Sequence, residues 1–258
     1  MRVAFTIILN GKHHLLHKNY YQTILNTFDL WIVVEGLALN TGSTSWCKEL
    51  NSSFHKNGLS NDGTTEFLDK LNNDRIKVIR NRHGVWNNKD EQVNAAISYL
   101  KTQTNECYLW QIDIDEQWTS DQLELAEQTL DKHQAKTGCF LCNFFVGKNH
   151  IVLGEWGEGR HLPYRRLWKW KGEMFESHEP PILEGKNGPG ILIPIKFNHY
   201  AYYFEQDVKF KQSYYTGYEN LYKRWIDIQQ KKYNMSIKEL LGFDTWWAHT
   251  NSTIQYVS

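Results

Sequence analysis

The stretch YLWQIDIDEQW, residues 108–118, decides how the rest of the chain is read: an uncharged, apolar run ends abruptly in Asp113, Asp115 and Glu116. Upstream, RVAFTIIL (2–9) reads as a buried strand, and HHLLHKNYYQTILNTF (13–28) carries Leu15, Leu16, Tyr20, Ile24 and Phe28 at helical spacing. LWIVVEG (30–36) supplies a second strand ending at Glu35, TTEFLDKLNN (64–73) a short helix, and RIKVIRN (75–81) a third strand. NKDEQVNAAISYLKTQ (88–103) is a helix whose acidic first turn suits its dipole. Strands and helices thus alternate from residue 1 to about 115, which predicts a mostly parallel sheet with right-handed crossovers. Ligands of such sheets collect beyond the carboxyl ends of the strands, where Asp113 and Asp115 lie. If the backbone stays extended there, the two carboxylates share a face about 6 to 7 Å apart. A pair so placed suits a hard divalent cation that also binds phosphate oxygens.

Downstream the alternation stops. SDQLELAEQTLDKH (120–133) is a helix with Ser120 as its cap, and GCFLCNFFVG (138–147) is a strand. Residues 150–198 read as strands and glycine-rich loops, including GEWGEGRH (154–161) and GKNGPG (185–190), and the chain from about 204 reads as helical. No repeat or linker divides it, so one domain over residues 1–258 is expected.

Composition narrows the classes. The 258 residues, 41% hydrophobic, suffice for a real core, and 29 basic residues balance 29 acidic ones. No global field draws the protein to nucleic acid or to an anionic membrane, so an anionic ligand must be met locally. The apolar N-terminal run is too short to span a bilayer and has no small-residue cleavage site, and no later segment reaches about 18 apolar residues. A soluble, cytoplasmic protein is expected. Of the four cysteines, only Cys139 and Cys142 have metal-like spacing, and residues three apart on a strand point to opposite faces; buried reduced thiols are expected. Trp 11, Tyr 14 and Phe 12 form an aromatic excess that suits either sugar stacking or an aromatic core.

DIDE (113–116), at the end of the fourth strand, resembles the D-x-D(E) motif of glycosyltransferases with the GT-A fold, particularly the inverting, family 2-like enzymes. Two later segments match in order. RRLWKWKGEMFESHEPP (165–181) resembles the arginine-bearing strand that leads through aromatics to a His-Glu pair. FNHYAYYFEQDVKFKQSYY (197–215) resembles the segment that returns a histidine to the metal and continues into a Lys- and Tyr-rich helix.

The resemblance implies a GT-A-like (Rossmann-like) α/β fold, with a nucleotide-binding βα half at 1–115, an acceptor and catalytic half at 116–203, and a C-terminal helical segment at 204–258. It implies Asp115 as the main ligand of Mn²⁺ or Mg²⁺, Asp113 on the ribose or on the metal through water, and His199 as the third contact. Glu116 would orient the loop. Glu179 would be the base that takes the proton of the acceptor hydroxyl, with His178 orienting it or meeting donor phosphate. Glu35 stands near the expected nucleoside; Val93 precedes Asn94 where such enzymes carry Arg, so the anchoring charge falls to Lys89 or Arg82; Arg165 or Arg166 would meet the diphosphate. The implied reaction moves a sugar from a UDP-, GDP- or dTDP-sugar to a hydroxyl of a glycan, lipid or protein acceptor.

Three rivals compete with that reading. An aspartyl-phosphate phosphotransferase wants Thr or Val two residues after its second Asp, on the first strand, and here Gln117 follows on the fourth. A nucleotidyltransferase acting on sugar phosphates would carry a glycine-rich phosphate loop after the first strand, where LNGKHHLL (9–16) stands. A carbohydrate-binding module would account for the tryptophans but needs neither the paired aspartates nor the βα pattern.

Overall fold

The computed structural model describes residues 1–153, 163–185, 190–242 and 252–257. In chain order the first half runs β1 (Arg2–Ile8), α1 (Lys12–Leu16), α2 (Tyr20–Thr27), β2 (Leu30–Ala38), α3 (Thr64–Lys70), β3 (Ile76–Trp86), α4 (Lys89–Leu100), β4 (Cys107–Gln111), β5 (Glu116–Gln117) and α5 (Ser120–Lys132). The second half runs β6 (Thr137–Val146), β7 (His150–Leu153), β8 (Tyr164–Trp170), β9 (Phe175–Ser177), β10 (Ile182–Leu183), β11 (Ile191–Tyr202), α6 (Glu205–Tyr214), α7 (Leu221–Gln229), β12 (Met235–Ser236), α8 (Lys238–Leu241) and β13 (Thr253–Tyr256).

One compact unit comprises Met1–Ile114, Thr119–Cys139 and Arg165–Ile193. Its sheet has the order β4-β1-β2-β3, all parallel, with β8 added antiparallel on β4. The mixed α/β class with a mostly parallel, helix-flanked sheet is therefore as the alternating pattern predicts. β2 is buried along its whole length, which explains why its sequence is a continuous apolar run rather than an alternating one. Against the sheet packs α4, whose Val93, Ala96, Ile97 and Leu100 recur at helical spacing and are all buried. Asn88 caps α4 by accepting the Glu91 N–H at 2.7 Å. The core continues through Phe5, Trp168 and Phe175, with Phe175 edge-on to both other rings at 5.5 and 5.4 Å. Each such side chain contributes about 1.5–3 kcal/mol by leaving water. Because β3 is parallel to its neighbours, α4 begins at the carboxyl end of the sheet.

The other unit comprises Asp115–Trp118, Phe140–Tyr164 and Pro194–Ser258. Here the pairing is antiparallel: β11 with β5, β6 with β7, β7 with β13 and β13 with β12. Trp118 stacks on Phe197 at 4.6 Å and meets Phe140 edge-on at 4.9 Å, so these aromatics serve packing. On α7, Leu221, Trp225 and Ile228 are buried, and Trp225 Nε1 donates to the Tyr202 carbonyl at 2.7 Å. Each unit is assembled from three separate chain segments. The return strand β8 pairs with β4 and carries residues 165–193 into the same unit as the βα half.

Several local expectations are corrected. The single helix over 13–28 is two, broken where Lys18 and Asn19 take left-handed backbone angles (φ 53° and 56°), a conformation Asn tolerates. The cap of α5 is Thr119 rather than Ser120, in a reciprocal capping box with Gln122. The fourth strand ends at Gln111, and Ile114 and Asp115 form a turn, so the extended spacing assumed for Asp113 and Asp115 does not hold. The physical reason is a change of partner: the Ile112 N–H still bonds Phe5 O at 3.0 Å, but Thr6 Oγ1 takes Ile112 O, and Glu116–Gln117 pairs with β11. The loop GEWGEGRH (154–161), residues 186–189 of GKNGPG and residues 243–251 of the expected helical tail lie outside the described residues. Among the described residues, no helix is long and apolar enough to cross a membrane. None of the four cysteines is in a disulfide; Cys107, Cys139 and Cys142 are buried, and Cys47 is half-buried. Burial pushes the Cys139 thiol up, against the opposing charge of Arg165.

Candidate active site

In the first unit, three elements bring charge together at the carboxyl end of β4. Asp113, just past the strand, accepts from Arg166 Nη2 at 2.8 Å and from Gln111 Nε2 at 3.1 Å. The alternation of β8 decides between the two arginines: Arg166 is buried and reaches Asp113, while Arg165 is only half-buried. His178 follows β9 in a turn, and its Nδ1 is buried with no hydrogen-bond partner among the described residues. Burial pulls the His178 imidazole down to about 4, helped by the charges of Lys89 and Arg166 and opposed by Asp113 and Asp90. At neutral pH it is an uncharged ring between cations and carboxylates. Glu179 is exposed on the same turn. Lys89 is the first residue of α4, and Arg82 is exposed on β3.

Glu35 is placed differently from the nucleoside contact the sequence suggests. It is 0% exposed, and both its oxygens meet protein donors: Oε2 accepts from Arg80 Nε at 2.7 Å, and Oε1 accepts from the Thr65 hydroxyl and the Ser60 N–H. Arg80 also pairs with Asp69 at 2.7 Å. Removing one partner of a buried pair typically costs 3–5 kcal/mol. Glu35→Ala is expected to cost about 3 kcal/mol, the low end of that range, because Arg80 keeps Asp69 and some solvent. Urea unfolding checks this, and a loss below about 1 kcal/mol, the worth of an exposed pair, would contradict it.

In the second unit, Asp115 and His199 face each other, with His199 Nε2 3.5 Å from Asp115 Oδ1. Register places His199 opposite the fully buried Glu116, and the Asp115 carbonyl accepts the Tyr200 N–H at 2.7 Å. Phe144 and Tyr164 meet the imidazole edge-on at 4.8 and 5.5 Å and fix its plane. Burial lowers the His199 pKa, but the Asp115 carboxylate outweighs it, with Cys142 assisting, and raises it to about 10. Lys211 Nζ, from α6, lies 3.7 Å from the other Asp115 oxygen. Two donors that each bind an ion at about 2.1 Å stand roughly 3 to 3.5 Å apart, so one carboxylate oxygen and one imidazole nitrogen here have the spacing for a divalent cation, whose arrival would have to displace the His199 proton. Lys211 competes for the same carboxylate.

Asp113 and Asp115 thus have different partners, Arg166 for one and His199 with Lys211 for the other. Asp90 and Lys211 were not singled out by motif. Asp90 read only as an acidic residue complementing a helix dipole, and Lys211 as one of several cations in a Lys- and Tyr-rich helix.

A family model described as Glycosyl transferase family 2 matches residues 57–208, more than half of the 258. The chain belongs to that family. The match takes in Asp113, Asp115, Arg166, His178, Glu179 and His199 and leaves out Glu35 and Lys211. Among solved structures, residues 1–349 of S. aureus TarS resemble this chain with a TM-score of 0.41 and 12% identity, over 66% of this chain and 47% of that one. The same protein in complex with UDP gives 0.38 and 14%, over 57% and 37%, and in complex with UDP-GlcNAc 0.37 and 14%, over 57% and 36%. The chain spans less than half the length of these TarS chains. No curated protein matches it.

Proposed function

We propose that this glycosyltransferase moves a sugar from a nucleotide-sugar donor to an acceptor hydroxyl of a glycan, lipid or protein, with inversion at the anomeric carbon. The observation that carries the reading is the group at the end of β4: Asp113 held by the buried Arg166, with the uncharged His178 and with Lys89 at a helix N-terminus. A buried guanidinium, an ammonium and a helix N-terminus together favour a ligand with negative oxygens, as a diphosphate has. Arg166 and Lys89 meet the diphosphate, Arg82 assists from β3, and Asp113 receives ribose hydroxyls. His178 steadies the turn that bears Glu179.

Glu179 acts as base. As the acceptor oxygen forms its bond to the anomeric carbon, the hydroxyl proton passes to the Glu179 carboxylate, and the bond from that carbon to the diphosphate breaks. Asp115 and His199 would hold Mn²⁺ or Mg²⁺, which would supply positive charge to a leaving diphosphate. A second reading is favoured by the 3.7 Å approach of Lys211 to Asp115: the Lys211 ammonium itself supplies that charge, with no cation.

A thermal-shift panel of UDP-, GDP-, dTDP- and CMP-sugars, each with and without Mn²⁺, tests the proposal. A donor at 100 times its dissociation constant adds about 2.7 kcal/mol of apparent stability. One nucleotide class should raise the unfolding midpoint, and more so with Mn²⁺. Shifts with free sugars alone, and none with any nucleotide, would replace the transferase by a sugar-binding module.

A further inference from the structure

Within the first unit, Asp90 does more than complement the dipole of α4. Its Oδ1 accepts the Ser43 hydroxyl at 2.6 Å and the His178 backbone N–H at 2.7 Å, and its Oδ2 accepts the Ser43 N–H at 3.3 Å. One carboxylate therefore takes three donors from two segments far apart in sequence: the 3-10 turn Gly42–Thr44, and the turn that carries His178 and Glu179.

The surroundings are built for this contact. Gly42 sits at φ +65°, and a Cβ there would fall 2.6 Å from Asp90 Oδ2, so only glycine lets the turn come this close. One helical turn along, Asn94 grips the preceding backbone from both sides: its Oδ1 accepts the Phe175 N–H and its Nδ2 donates to Phe175 O, each at 2.9 Å. Positions i and i+4 share a helix face, so Asp90 and Asn94 together hold the main chain from 175 to 178. Burial alone would raise the Asp90 carboxyl, but the Ser43 and His178 donors hold it below its ordinary value.

We propose that Asp90 is a positioning residue that ties the Gly42–Thr44 turn to the His178–Glu179 turn, and so sets the backbone from which Glu179 projects. The tie itself stands on geometry, and its catalytic consequence rests on Glu179 being the base. A hydrogen bond to a charged group contributes about 1.5–3 kcal/mol. In Asp90→Ala, amide exchange at Ser43 and His178 should accelerate together, by about ten- to a hundredfold. Misplacing a catalytic group by about 1 Å costs on the order of a hundredfold, so kcat should fall at least about tenfold. Asp90→Asn, which keeps one acceptor oxygen, should recover part of both.

The experiment is residue-resolved hydrogen exchange on the full chain, paired with kcat for the Ala and Asn variants. Joint acceleration at both amides with reduced kcat and partial rescue by Asn supports the proposal. Wild-type exchange at either amide overturns the tie. Accelerated exchange with unchanged kcat, in a protein that Glu179→Gln inactivates, overturns the positioning role. Should Glu179→Gln itself remain active, the choice of base fails instead, and the tie is judged on exchange alone.

Discussion

Glu179→Gln is expected to lower kcat for sugar transfer by about 10²- to 10⁴-fold, the range spanned by a lost general base, while the donor still binds. The substitution keeps size and shape and removes only the ability to take a proton. Glu179 is exposed on its turn, so no buried partner is stranded and the fold should be unaffected. Its neighbour His178 is poorly suited to replace it. Burial and the nearby Lys89 and Arg166 hold that imidazole near 4, leaving it a very weak base at neutral pH. Turnover within about threefold of the unsubstituted protein, far short of the loss expected of a base, would move the role to another carboxylate.

Much of the first unit can be read from its pattern. β1 and β2 are largely buried on both faces and therefore appear as mostly apolar runs rather than alternating ones, and α4 carries a 3.6-residue repeat with an acidic first turn. What pattern does not carry is where a chain changes partner. YLWQIDIDEQW looks like one strand because its composition stays apolar to Ile112 and resumes at Trp118, yet the chain turns at Ile114–Asp115 and Glu116–Gln117 joins a different ladder. That choice depends on β11, some eighty residues downstream. The same limit governs the site. Arg166, His178 and His199 lie in motifs whose order is visible, whereas the pairing of Glu35 with Arg80 and the grip of Asp90 on two turns are tertiary facts with no local signature.

The largest effect outside the base is expected at Asp115. Asp115→Ala removes a carboxylate that faces both His199 and Lys211, and with it the charge that raises the His199 pKa, so burial should leave that imidazole neutral beside the Lys211 ammonium. The β5–β11 contact survives, because Tyr200 bonds to the Asp115 main-chain carbonyl rather than to its side chain. Loss of an outer partner of a metal ligand already costs about 10- to 100-fold in metal affinity, so with Asp115 as the proposed ligand its removal should cost at least about a hundredfold. The Lys211 ammonium would repel a divalent ion, and a single neutral imidazole would not offset that.

Titration calorimetry of the nucleotide-sugar donor, with and without Mn²⁺, on the unsubstituted protein and on Asp115→Ala, tests this centre most directly. Donor binding should strengthen at least about tenfold with Mn²⁺ in the first protein and should not respond to Mn²⁺ in the second, as expected where binding of donor and cation is linked. Donor affinity that ignores Mn²⁺ in the unsubstituted protein, or that keeps its full Mn²⁺ dependence in Asp115→Ala, would contradict it.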